Sequence, residues 1–303
     1  MILTSFYQFL PVNGLPLLRC RMETRARDAG VLGTVLIAPE GINGSLTGPD
    51  EAVTGLLDWL SAQIGADSWV VNRQAVENPP FRRLKVRIRP EIIRFDQPDP
   101  NLATRVGRHI PPGQWNDLIR REDVRVIDTR NDYEVRLGSF EGAENPGTDT
   151  FRDFARWVDE HLDPETDRNV AMFCTGGVRC EKASAWLAEK GFDNVFQLKG
   201  GILSYLDEVP VEESCWQGEC FVFDDRVSID HRLRPTGRSL CQACRRPAEA
   251  LDAAGLPPVD ESTRRCLDCG QAIDSRRLAG LRERARQVRL ARQKGKEHLG
   301  PQD

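Results

Sequence analysis

Histidine is scarce in this 303-residue sequence: it occurs four times, widely spaced. So few, so far apart, they make no evident two-histidine, one-carboxylate iron motif and argue against a non-haem iron site. Flavin, haem and nucleotide-binding motifs are equally missing. No apolar run approaches the ~20 residues of a membrane span. The opening stretch, Met1-Ile2-Leu3-Thr4-Ser5-Phe6-Tyr7, has neither a basic segment nor a small-residue cleavage site, so it reads as a first strand rather than a leader. Internal repeats and long low-complexity tracts are absent. A net charge of −4 gives no whole-chain attraction for nucleic acid, so any such contact must rest on local patches. The expectation is a cytoplasmic chain, away from membranes and without an obligatory protein partner.

Cysteine, by contrast, is plentiful. Nine copies in a chain read as cytoplasmic point to metal and redox chemistry rather than to disulfides. The most informative stretch is Ala171 to Lys182, Ala-Met-Phe-Cys-Thr-Gly-Gly-Val-Arg-Cys-Glu-Lys. Its apolar start, Asn169 to Phe173, reads as a buried parallel strand that delivers Cys174 into a loop with two glycines. Glu181 to Lys190 then reads as a helix. A thiol at a helix mouth, ringed by free backbone N–H groups and followed by Arg179, is favoured as thiolate and therefore as nucleophile. Gly176 and Gly177 let the backbone form that cradle without Cβ clashes. The plainer reading, a buried cysteine at a strand end, fits poorly beside two glycines, an arginine and a second thiol, Cys180.

Length and punctuation predict several domains. Before Phe95, apolar segments at Ile2–Leu10, Val31–Ala38 and Ser45–Thr47 read as strands. Val53, Leu56, Leu57, Leu60 and Ile64 mark a helix by their spacing. Asn43-Gly44 reads as a hairpin turn. Strands near Trp69–Val71 and Arg83–Arg89 complete a β-α-β-β-α-β, ferredoxin-like α+β domain over residues 1–95. Within the last of them, alternation places Arg83, Lys85, Arg87 and Arg89 on one sheet face and Leu84, Val86 and Ile88 on the other. Four cations in a row suit an RNA phosphate backbone, and equally suit a solvated edge strand protected from aggregation. Asp96-Gln97-Pro98-Asp99-Pro100 opens a linker over 96–108.

Near the C-terminus, Cys241-Gln242-Ala243-Cys244 and Cys266-Leu267-Asp268-Cys269 are paired C-x2-C motifs separated by 21 residues. Two such knuckles give a structural zinc with four thiolates and no open coordination position. A short helical patch is expected at Ala248–Ala254. Cys215 and Cys220 are read as core, and Cys20 as a small buried hydrophobe on the first helix. From Arg276 to Lys296, nine basic residues face one acid, Glu283. Leu278, Leu281, Ala285 and Val288 keep helical spacing, which predicts an amphipathic helix with a basic face, either solvated or in contact with RNA.

The residues around Cys174 resemble the rhodanese domain. Val124 to Arg130 is similar to its strand ending in Asp-x-Arg, Glu134, Gly138 and Gly142 to Pro146 continue the pattern, and Cys174 to Lys182 matches its active loop. Asp128 and Arg130 are expected to be a structural ion pair. The resemblance assigns a rhodanese-like α/β domain to 109–211; the paired cysteines and the basic run mark a cysteine-rich zinc module over 212–272 and a basic helical tail over 273–303. Over Phe6 to Cys269 the chain resembles the bacterial oxygen-dependent tRNA uridine hydroxylases. The marks are Gly33 to Gly44, Asp128 to Glu134, Phe173 to Lys182, Leu198 to Ile202 and Gly218 to Val227. That resemblance implies tRNA, at its anticodon loop, as partner and molecular oxygen as co-substrate. Cys174 would add to the pyrimidine, Arg179 would hold the thiolate or the O4 enolate, and Cys180 would resolve an intermediate. A persulfide-carrying sulfurtransferase and a non-catalytic RNA-binding scaffold stay open as alternatives.

Overall fold

The computed structural model describes residues 1–97, 106–241, 245–248, 259–260, 265–266 and 272–293. Met1–Phe221 with Asp230–Arg234 make one compact unit, and Val222–Ile229 with the residues from Pro235 onward make a second.

The first unit begins with β1 (Ile2–Phe9), α1 (Leu15–Asp28), β2 (Leu32–Ala38), β3 (Gly41–Gly48), α2 (Asp50–Ile64), β4 (Val70–Ala75) and β5 (Leu84–Ile88). The sheet runs β4-β1-β3-β2-β5, antiparallel throughout except for the parallel β2–β5 pair. This is the ferredoxin-like arrangement with β5 added beside β2. Leu18, Met22 and Ala26 of α1 and Val53, Leu56, Leu57 and Leu60 of α2 are buried. Each set recurs every three or four residues, so each helix turns one apolar stripe onto Val35, Ile37, Ile42 and Leu46 of the sheet. Burying one such side chain contributes about 1.5–3 kcal/mol. Asp50 and Glu51 favour the positive end of α2, and Gly65 at φ 71° closes it.

Two expectations fail here. Asn43-Gly44 is not the hairpin turn: both residues lie inside β3, opposite Leu36 and Val35, and Pro39-Glu40 makes the turn. Gly44 answers to close packing instead, since a Cβ there would sit 2.9 Å from the Thr34 carbonyl oxygen. Cys20 is exposed rather than buried, because the apolar stripe of α1 passes through Leu18 and Met22.

The linker expected at 96–108 falls mostly outside the described residues. Next come β6 (Arg108–Ile110), α3 (Pro112–Ile119), β7 (Arg125–Asp128), α4 (Asp132–Val135), β8 (Gly138–Phe140), α5 (Phe154–His161), β9 (Asn169–Phe173), α6 (Val178–Glu189), β10 (Asn194–Leu198), α7 (Gly201–Glu208) and β11 (Trp216–Gly218). A wholly parallel sheet, β6-β10-β9-β7, forms the middle layer. Alternation along β9 sends Val170 and Met172 into one apolar cluster with α5 and α6. Phe173 faces the other way, against Trp115 of α3 and Phe140, whose ring also meets Tyr205 of α7 and Trp216. The β11–β8 pair thus closes the second core with a residue from beyond the sheet. Asp128 and Arg130 form a fully buried ion pair at 2.6 Å, as expected of a structural pair.

In the second unit, Ser239–Leu240 pairs with Pro247–Ala248, so Ala248 is strand, not helix. The rest of the helical patch expected at Ala248–Ala254 lies outside the described residues. Val259–Asp260 pairs antiparallel with Arg265–Cys266, and α8 (Ser275–Gln293) realises the basic tail helix.

Candidate active site

β9 ends at Phe173 on the C-terminal edge of the parallel sheet, where open α/β sheets carry their ligand sites. The loop that follows is short and tightly held. Thr129 N–H and hydroxyl both donate to the Phe173 carbonyl, at 3.1 and 3.0 Å. Ile202 N–H donates to the Cys174 carbonyl at 2.9 Å and Leu203 N–H to that of Thr175 at 3.1 Å, so the start of α7 buttresses the loop. Gly177 takes φ 98° just before α6. That left-handed corner turns its N–H onto the Cys174 sulfur at 3.1 Å.

Cys174 is 1% exposed and Cys180 is fully buried. Burial pushes the Cys174 thiol up. The Cys180 thiol, the Arg179 guanidinium and the N–H groups of Cys180 and Arg179 outweigh it and bring it down to about 6. Cys180 is driven the opposite way, first by burial and then by the thiolate beside it. The pair is therefore one thiolate and one thiol at neutral pH.

Arg179 is anchored by Glu134, which accepts from both terminal nitrogens at 2.7 and 2.8 Å, and one nitrogen also reaches the Thr175 hydroxyl at 3.3 Å. Burial pushes Glu134 up, but Arg179 and then Arg130 outweigh it and hold the carboxyl low. The guanidinium is thus oriented by a buried carboxylate and acts on Cys174 as a fixed charge. Glu134 itself sits on α4, in a capping box with Asn131.

A second polar cluster lies beside the loop, and the sequence alone does not single it out. Glu181 of α6 accepts from Tyr7 of β1 at 2.8 Å and Gln197 of β10 at 3.1 Å, and lies 3.0 Å from His109 of β6. That hydrogen bond raises His109 against the opposing effect of burial. One residue on, Lys182 is 2% exposed and binds Glu40 at 2.8 Å and Glu91. Tyr7, Glu40 and Glu91 all come from the ferredoxin-like part of the chain. Their sequence signal is weak: Glu40 and Glu181 lie inside family-like stretches, but nothing in those stretches pairs one with the other.

Of the predicted site residues, the fold brings Cys174, Arg179 and Cys180 together. Arg83, Lys85, Arg87 and Arg89 belong to β5 and its flanks, at the sheet edge; Lys85 is half-buried and the other three are exposed. Arg19 and Glu23 of α1 line the same shallow depression. Cys244 and Cys269 lie outside the described residues, as does the side chain of Cys266. Cys241 is buried; its carbonyl accepts from Arg245 N–H, and its own N–H donates to the Arg246 carbonyl. Among the described residues no group of three metal-ligating side chains is assembled. Cys215 and Cys220 are buried free thiols, and burial pushes Cys220 up to about 12, so it is inert as a nucleophile.

Residues 1–92 match the family described as UPF0176 acylphosphatase like domain, and residues 112–208 match the rhodanese-like domain. Over shorter stretches the chain is similar to a rhodanese-like domain from Anabaena sp., at 16% identity, 37% of this chain, 80% of that one and a TM-score of 0.31. It is also similar to acylphosphatase from Bacillus subtilis, at 14% identity, 28% of this chain, 98% of that one and a TM-score of 0.24. A tRNA uridine(34) hydroxylase from Mesorhizobium japonicum is 44% identical, covering 98% of this chain and 96% of its own length. With that identity across nearly all of both sequences, and with a thiolate cradle in its rhodanese-like part, the chain belongs to the tRNA uridine(34) hydroxylase family.

Proposed function

We propose that this chain hydroxylates C5 of the wobble uridine, residue 34, in the anticodon loop of tRNA, with molecular oxygen as co-substrate and Cys174 as nucleophile. The observation that carries the reading is the Cys174 thiolate, brought down to about 6 in a cradle of N–H groups beside an anchored guanidinium.

Uracil C5 does not react with oxygen unaided. Addition of the Cys174 thiolate at C6 breaks the C5–C6 double bond and places an electron pair on C5, shared with O4. C5 then bonds to one atom of oxygen, and a proton makes the hydroperoxide. The Cys180 thiol takes the outer oxygen, leaving C5–OH and a sulfenic acid. Loss of the C5 proton expels Cys174 from C6 and restores the ring. Cys174 next attacks the Cys180 sulfenic acid, giving a disulfide and water. Oxygen thus takes two electrons from uridine and two from the thiol pair, and a small dithiol or monothiols must reduce the disulfide before the next turnover. The base must leave its stack to reach a buried sulfur, which an anticodon loop permits cheaply. Gly176 and Val178 are the loop residues that are only half-buried, and a Cβ on Gly176 would meet nothing within 4 Å.

A structural zinc held by Cys241, Cys244, Cys266 and Cys269 belongs to the same proposal. It is supported by the paired spacing and by the buried Cys241, whose backbone carbonyl and N–H bond Arg245 and Arg246. The RNA path is assigned to the β5 cations. A cytoplasmic location follows from a tRNA substrate, and no helix among the described residues is long and apolar enough to cross a membrane.

The test is nucleoside mass spectrometry of tRNA from cells carrying only a variant chain. Cys174→Ser abolishes 5-hydroxyuridine without unfolding the protein, and Cys180→Ser lowers it by less. Full hydroxylation by Cys174→Ser would remove the covalent step. If thiosulfate-to-cyanide sulfur transfer appears and 5-hydroxyuridine does not depend on the chain, the sulfurtransferase reading replaces this one.

A further inference from the structure

We infer that Tyr7, contributed by the ferredoxin-like part, is a positioning residue of the thiolate site: it walls the Gly177 corner whose N–H holds the Cys174 sulfur. The inference rests on the reading of Cys174 as the attacking thiol and adds to it a residue from outside the rhodanese-like fold.

Three observations carry it. The Tyr7 ring is 6% exposed, edge-on to Phe9 at 6.1 Å, so its place is set by packing. Its hydroxyl donates to Glu181 in the first turn of α6 at 2.8 Å. The same oxygen lies 2.9 Å from where a Cβ on Gly177 would stand, so it closes off the side to which that corner would otherwise relax. Gly177 therefore needs its glycine twice, for its φ of 98° and for the tyrosine oxygen beside it. Glu181 is in turn held by Gln197 and His109, which ties β1, β6, β10 and α6 into one polar frame around the loop.

The groups facing Tyr7 are Glu181, Cys174 and Cys180, and those facing Cys174 are Cys180, Arg179 and Tyr7. Burial, then Glu181, then the two thiols hold the phenol well above its usual range. Tyr7 is thus a neutral donor at working pH, and its effect on Cys174 runs through the position of Gly177.

The experiment measures iodoacetamide alkylation of Cys174 against pH in the full chain, read by peptide mass spectrometry. Tyr7→Phe keeps the ring and removes the hydroxyl. The expected result is a midpoint about one pH unit higher, so that alkylation at pH 6 slows roughly fivefold as the thiolate fraction falls. Hydroxylation should fall in kcat at that pH with KM unchanged. A superimposable alkylation profile overturns the inference, whatever happens to hydroxylation. Abolished hydroxylation in Cys174→Ser tests the nucleophile separately. Should Tyr7→Phe not fold, Gly177→Ala serves instead. Its methyl meets the Tyr7 oxygen, and it should raise the midpoint in the same direction; an unmoved midpoint there also overturns the inference.

Discussion

At residue 174 opposed effects are balanced, and the balance decides what the loop can do. Full burial alone would keep a cysteine protonated and inert, as it does at Cys220. Cys174 differs because a thiol, a guanidinium and N–H groups converge on its sulfur. The consequence in pH is specific. The thiolate is the reactive form, so Cys174 alkylation in the wild-type chain should climb as pH rises through about 6 and be flat by about pH 8. An ordinary thiol would still be climbing there. A single-site titration followed by mass spectrometry checks this, and a midpoint near the usual value of about 8.5 would show that the cradle does not favour the charged form. Much of this site was legible in the sequence, because Cys174, Arg179 and Cys180 are neighbours along the chain and local spacing fixes their meeting. Glu134 and Tyr7 were not legible as partners. They lie 45 and 174 positions away from Arg179 and Glu181, which they touch, and only the completed fold brings them there.

Elements show the same division between local and non-local information. Helix α2 followed from its apolar spacing, because a helix writes its buried stripe into consecutive turns. The β2–β3 turn did not, since Asn43-Gly44 carries a turn composition for a reason that depends on the neighbouring strand. For β5 the alternation was right, and what its cations meet is the matter to test. Charge reversal at Arg83 and Arg87, both exposed, should weaken tRNA binding. It should also flatten the salt dependence, by roughly 0.7–0.9 units of log K per log salt for each phosphate no longer neutralised. Reversal at Arg284 and Arg292 of α8 should weaken binding less, because a terminal helix loses more ordering entropy on binding. Affinity titrations across salt concentrations decide between them; an unchanged slope in the β5 variant makes that strand a charged, protected edge. For the paired cysteines, purified protein should carry one zinc. Cys241→Ala or Cys266→Ala should release the metal and destabilise residues 240–270, because binding energy at a four-thiolate site doubles as folding energy. Metal analysis finding iron, or no metal in reduced protein, refutes this.

On the scale of the molecule, the central question is why a thiolate site should be fused to a ferredoxin-like fold. The two parts of the first unit have separate apolar clusters, one built on Val35, Ile42 and Leu60 and the other on Met172, Phe154 and Leu187. Between them run a strap and a polar seam. Phe95, just beyond β5, stacks on Phe151 at 4.8 Å in the second cluster. Lys182, on the helix that carries Cys180, is buried between Glu40 of the β2–β3 turn and Glu91 of the strap. Glu40 also caps Ile92 N–H at 2.7 Å and Glu91 caps Phe95 N–H at 3.1 Å, so one ammonium organises turn, strap and α6 together. Burial of Glu40 outweighs the pull of Lys182 and leaves that carboxyl raised, so removing the cation would leave two poorly solvated carboxylates facing each other. Lys182→Met preserves the length and apolar stem of the side chain while deleting the charge. Breaking a buried pair in this way costs about 3–5 kcal/mol, less here because both carboxylates keep some contact with water. If the seam couples the two clusters, wild-type protein should melt in one calorimetric transition. Lys182→Met should then split it, with the ferredoxin-like part unfolding first and Cys174 alkylation losing its low-pH midpoint over the same temperature range. A single transition at the wild-type temperature would mean that Phe95 with its apolar neighbours and the Tyr7–Glu181 hydrogen bond suffice to join the two folds, with Lys182 merely satisfied where it lies.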